Sequence, residues 1–102
     1  MNSPKLAIDV LVNITNEATK ACTLTEKAAL YSAARHLLAD LEVYVNEYRK
    51  GDGYILEKLT SARWHIGAVL GFDINPSRDC SAHYIWALND LESVTNRLPD
   101  EH

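Results

Sequence analysis

Residues 23–53, TLTEKAALYSAARHLLADLEVYVNEYRKGDG, decide the fold because they contain one complete helix with its start and stop signals. Thr23 and Glu26 have the spacing of a capping box, in which each side chain accepts a hydrogen bond from the other residue's backbone N–H. Apolar residues then recur at helical spacing until Gly51, where a glycine stop and a turn follow. These signals predict a long helix over 25–50.

Three other segments repeat this apolar pattern. Ser3 can cap the first of them, Pro4 suits its first position, and Pro99 ends the last. We expect these helices over 4–21, 54–70 and 78–98. Four amphipathic helices with short connections predict an all-α, mostly antiparallel four-helix bundle. The bundle would form a single domain over residues 1–102, with a frayed acidic tail from about residue 99.

The apolar stripes of these helices predict the core. The residues expected to be deeply buried are Val10, Leu11, Ile14, Leu37, Leu41, Leu59, Ile66, Leu88 and Leu91. A chain of 102 residues buries only about two-thirds of the surface that its unfolded form exposes. Each of these side chains should therefore matter to a modest total stability.

The charge and the apolar pattern exclude several classes of protein. The formal net charge is −4, so the chain has no basic excess to displace the counterions of duplex nucleic acid. No apolar run approaches the roughly 20 residues of a membrane span, and the first residues lack the pattern of a signal peptide. We therefore expect a cytoplasmic protein in which Cys22 and Cys80 are reduced and buried as small hydrophobic residues.

Two tryptophans lie off the apolar stripes. On a helical wheel, Trp64 falls about 140° from Leu59 and Trp86 about 160° from Leu88. An irregular bundle that buries both indoles is one interpretation, and a contact surface for a protein partner or a second copy of the chain is the other. The expected contact residues are Trp64, Gly67, Ala68, Ile85, Trp86, Ile8 and Val12.

The sequence shows no complete constellation for metal or cofactor chemistry. His36 and Asp40 lie one turn apart on the second helix, which fits an exposed ion pair better than a metal site. Cys80 and His83 have the spacing of two zinc ligands, but no comparable pair supplies the other two. We expect neither a metal nor a cofactor.

One segment gives a catalytic alternative. Arg78-Asp79-Cys80-Ser81-Ala82-His83 resembles the Arg-x4–6-His motif of HEPN-type ribonucleases, which lies near the start of a late helix in an α-helical bundle. The resemblance implies a homodimer with two motifs across a shared cleft. In such a site Arg78 would hold the scissile phosphate and His83 would transfer a proton.

The sequence therefore favours a small non-enzymatic interaction module, a regulator or an immunity-type or phage-type inhibitor that acts by binding a protein partner. The ribonuclease that uses Arg78 and His83 is the alternative. A purely structural subunit of a larger assembly is the third class.

Overall fold

A computed structural model describes residues 3–72 and 80–98, which form four α-helices and, within those ranges, no strand. The helices are α1 (Pro4–Ala18), α2 (Leu24–Tyr48), α3 (Gly53–Leu70) and α4 (Cys80–Arg97). The predicted all-α four-helix bundle is confirmed. In the part of the chain that is described, no helix combines the length and the apolar character needed to cross a membrane.

Side-chain caps begin the first three helices. The Ser3 side chain accepts a hydrogen bond from the Leu6 N–H, and the Thr23 hydroxyl accepts one from the Glu26 N–H, both at 3.1 Å. Asp52 begins α3 by accepting hydrogen bonds from the N–H groups of the next helical turn. Because caps and helical turns are local interactions, the sequence located these starts within a residue or so.

One predicted helix boundary differs from the structure, and another lies outside the described residues. α1 ends at Ala18 rather than at residue 21, because Thr19 caps it and its hydroxyl donates a hydrogen bond to the Asn16 carbonyl at 2.7 Å. The predicted start of α4 at residue 78 lies outside the described residues.

The helices follow one another around the bundle. Each packs against the next one in the chain, α4 also packs against α1, and α2 and α4 occupy opposite corners. The contact between α3 and α4 is the most extensive. Lys58 of α3 lies opposite Asp90 of α4, and His65 lies opposite His83, so these two helices run antiparallel.

Most of the predicted core is confirmed. The buried members are Leu11, Ile14, Leu41, Leu59, Ile66 and Leu91. The burial predicted for Val10 was wrong, since this residue is 39% exposed. Leu37 and Leu88 are only partly buried. The buried face of α1 includes Ala7 and Ile8, which turns Val10 toward the surface.

The same rotation of α1 corrects two residues expected on a contact surface. Ile8 is 2% exposed and belongs to the core, so it cannot contact a partner of the folded bundle. Val12 is partly buried and packs against that core. The buried state expected for Cys22 was also wrong, because this cysteine is free and exposed in the connection between α1 and α2.

Candidate functional site

The antiparallel pairing of α3 and α4 brings Trp64 and Trp86 to the same place, on either side of two histidines. We call Trp64, His65, His83 and Trp86 the aromatic cluster. The His83 ring centroid lies 5.1 Å from that of Trp64 and 5.6 Å from that of Trp86, in edge-on arrangements. The His65 ring lies 5.0 Å from Trp64 and 5.3 Å from Trp86. Edge-to-face packing of this kind holds aromatic rings in fixed orientations.

The aromatic cluster is layered from the core to the surface. His83 is 2% exposed and faces inward, and His65 is partly buried. Trp64 and Trp86 remain 37% and 38% exposed above them. The two indoles therefore form an aromatic surface that rests on the histidine pair instead of projecting freely into solvent.

The two histidines are joined by a hydrogen bond between their Nδ1 atoms. Their Nδ1 atoms are 2.9 Å apart, so the Nδ1–H of one ring donates to the unprotonated Nδ1 of the other. Burial lowers the pKa of His65; the nearby Asp90 carboxylate opposes this shift and His83 adds to it. Burial thus favours the neutral state of His65 in the folded protein.

A buried carboxylate completes the polar part of the α3–α4 contact. Asp90 is buried on α4, and its Oδ1 lies 3.8 Å from the Lys58 ammonium nitrogen. Its Oδ2 and the Nε2 of His83 are buried without a hydrogen-bond partner. Buried polar atoms without partners reduce stability, because they give up hydrogen bonds to water without replacing them.

The other residues expected on the contact surface do not belong to the aromatic cluster. Gly67 is buried, and Ala68 is partly buried. Ile85 is exposed, but it lines a separate groove with Ala18 and Tyr84. Of the seven residues expected on a contact surface, the described cluster therefore brings together Trp64 and Trp86.

Sequence reasoning missed the histidine pair. The signal that was present is the position of each histidine beside a tryptophan, since His65 follows Trp64 and His83 lies almost one turn before Trp86. Each histidine is ambiguous alone. Only the register of α3 against α4 places the two rings together.

Two other patterns in the sequence, a His–Asp pair and a set of possible metal ligands, can be compared with the described residues. His36 and Asp40 form an exposed pair at 3.6 Å, as predicted. Among the side chains that the structure describes, in residues 3–72 and 81–98, no group of three or more histidine, cysteine or acidic residues is arranged to hold a metal ion. Arg78 lies outside the described residues.

Comparison with known proteins adds no assignment to this geometry. The chain matches no protein-family model, no curated protein and no solved structure.

Proposed function

We propose that this chain is a non-enzymatic protein-binding module, a regulator or inhibitor that contacts its partner through Trp64 and Trp86. The observation that carries this proposal is the convergence of two tryptophans from different helices on the same histidine ring, with each tryptophan more than a third exposed. Tryptophan is enriched among the residues that dominate binding energy, since it covers a large area with few rotatable bonds.

The support beneath the indoles favours binding. Both tryptophans pack against the rings of His65 and His83, which lie on the bundle's most extensive helix contact. A surface that is ordered before binding loses less conformational entropy when a partner arrives. The proposed location is the cytoplasm, where the exposed Cys22 thiol would remain reduced.

The ribonuclease alternative gains no support from the described residues. A general acid or base must reach the proton that it transfers. His83 is 2% exposed, and its Nδ1 is occupied by His65. A phosphate could reach this ring only if the aromatic cluster opened.

The test compares single variants as bait in cells of the source organism. Trp64→Ala and Trp86→Ala should weaken partner capture, or self-association in sedimentation velocity, by about thirtyfold or more in affinity. Ile85→Ala is the matched control, since it removes an exposed apolar side chain from α4 on a separate groove.

Circular dichroism and thermal melting of each variant show whether the fold is retained. The proposal predicts proteins captured by the wild type and by Ile85→Ala but lost from both folded tryptophan variants. Equal capture by all four baits, with unchanged self-association, would contradict it.

A further inference from the structure

A cleft between α2 and α3 opens beside the aromatic cluster and shares Trp64 with it. Its volume is about 790 Å³, in the range of roughly 300–1,000 Å³ typical of ligand-binding sites. The aromatic, aliphatic and charged residues of its lining are Tyr31, Arg35, Leu56, Glu57, Arg63 and Trp64.

The apolar part of the cleft is held in place by the bundle. Tyr31 and Leu56 are partly buried and pack against the core. The Tyr31 ring also stacks on Phe72, with 5.0 Å between ring centroids and 15° between ring planes. Together with Trp64, these side chains offer a fixed apolar surface on which a partner side chain can pack.

The charged part of the cleft differs in sign from the molecule as a whole. Arg35 and Arg63 are exposed, one on α2 and one on α3, and neither forms an ion pair with a carboxylate among the described residues. The guanidinium carbon of Arg35 lies 5.7 Å from the Tyr31 ring centroid. Among the described residues, Glu57 is the single acidic residue in the lining, whereas the whole chain carries a net charge of −4.

We propose that this cleft binds a short acidic segment of a protein partner. Carboxylates of the segment bind Arg35 and Arg63, and an apolar side chain packs against Leu56 and Trp64. A planar guanidinium can bind a carboxylate through two parallel hydrogen bonds, which suits arginine to this role. The inference rests on the proposed function, because Trp64 serves both the cleft and the aromatic surface.

Charge and reach favour an acidic peptide segment over a nucleic acid. Salt screens charges beyond about 8 Å at physiological ionic strength, so a short segment responds mainly to the two arginines. A long polyanion would also extend over the acidic remainder of the chain, where repulsion opposes the gain from neutralised phosphates.

The test is selection from a displayed library of random dodecapeptides on the wild-type protein. Enriched peptides should contain several acidic residues and at least one large apolar residue. Synthetic copies should bind the Arg35→Glu/Arg63→Glu variant about tenfold more weakly or worse, because charge-assisted hydrogen bonds are lost. Added salt should weaken binding to the wild type.

The Lys20→Glu/Lys50→Glu variant is the matched control. It changes the net charge equally at two exposed lysines outside the cleft lining and should bind like the wild type. Circular dichroism checks that the arginine variants fold, and Arg35→Gln/Arg63→Gln should weaken binding in the same direction by a smaller factor.

Three results would overturn the acidic-segment inference: no enrichment, enriched peptides without acidic excess, or equal affinity for the wild type and both arginine variants. Arginine-dependent binding of a fluorescein-labelled oligouridylate, stronger than that of any selected peptide, would also overturn it in favour of RNA. Peptides that lose affinity on Trp64→Ala but not on Arg35→Glu/Arg63→Glu would leave the proposed function standing while this inference fails. Loss of affinity on Arg35→Glu/Arg63→Glu with unchanged affinity for Trp64→Ala would also overturn the inference, because it places an apolar contact on Trp64. The proposed function is tested separately, by the capture experiment with both tryptophan variants.

Discussion

The buried faces of α2 and α4 differ in chemistry, although each of these helices packs against both α1 and α3. The side chains that α2 buries are all apolar: Ala34, Leu38, Leu41 and Val45. α4 buries His83 and Asp90 beside its apolar residues. Shape and volume therefore determine how α2 packs, whereas the α3–α4 contact also depends on the hydrogen bond between two histidine rings.

The largest expected effect comes from the apolar face. Leu41→Ala should lower the free energy of unfolding by about 2–5 kcal/mol, because it removes buried methyl groups and leaves a cavity. Urea denaturation at neutral pH measures the change. Val43→Ala on the same helix is the control, since Val43 is exposed and should change the free energy of unfolding by only about 0.5 kcal/mol. Similar losses from the two variants would mean that the face of α2 is wrongly assigned.

The next largest effect is expected at the hydrogen-bonded histidine pair between α3 and α4. His83→Leu should lower the free energy of unfolding by about 1–3 kcal/mol, because it leaves the Nδ1 of His65 without its partner. Replacing both members of a buried hydrogen bond by apolar groups is less costly than replacing one. His65→Leu/His83→Leu should therefore be more stable than His83→Leu. A double variant whose loss equals the sum of the two single losses would show that the pair contributes no coupling energy.

The smallest expected effect is a pH dependence located at His65. Its pKa is lowered in the folded protein, mainly by burial, so the unfolded chain binds this proton more tightly. The stabilisation from neutral His65 is complete above the ordinary pKa of about 6.5 and decreases as the pH falls through that value toward the lowered folded pKa. Urea midpoints measured across this window should fall toward acid.

Two variants locate the origin of that fall. His65→Gln should flatten it, and His36→Gln, which removes an exposed histidine of α2 outside the α3–α4 contact, is the control. Parallel curves for the wild type and both variants would place the pH dependence at other groups. The comparison thus tests whether the α3–α4 contact responds to protons in a way that the apolar face of α2 does not.

Local signals in the sequence predicted the elements of this fold well. The capping pattern of Thr23 and Glu26 appears as a hydrogen bond at 3.1 Å, and Gly71 ends α3 with a left-handed φ of 86°. These features depend on residues within about one helical turn of each other, so the sequence contains most of the information that specifies them. The stripes of α2 and α3 predicted Leu41, Leu59 and Ile66 in the core for the same reason.

Rotations and pairings between helices were less predictable. Val10 and Ile8 are both apolar, and the wheel of α1 does not by itself show which of them faces the core. The tryptophans could be recognised as lying off the main stripes, but the histidines between them could not be recognised as a pair. Arg35 and Arg63 share a cleft only because α2 and α3 pack side by side.

The sequence by itself determined that the chain forms four amphipathic helices, where three of them begin, and which residues form most of the core. These properties follow from hydrogen bonds and apolar spacing within a single helix. Only the tertiary structure decided that His65 meets His83, eighteen residues away along the chain, and that Trp64 and Trp86 form one surface above them. The physical reason is that such contacts depend on the rotation and register of two helices, which are set by the packing of the whole bundle.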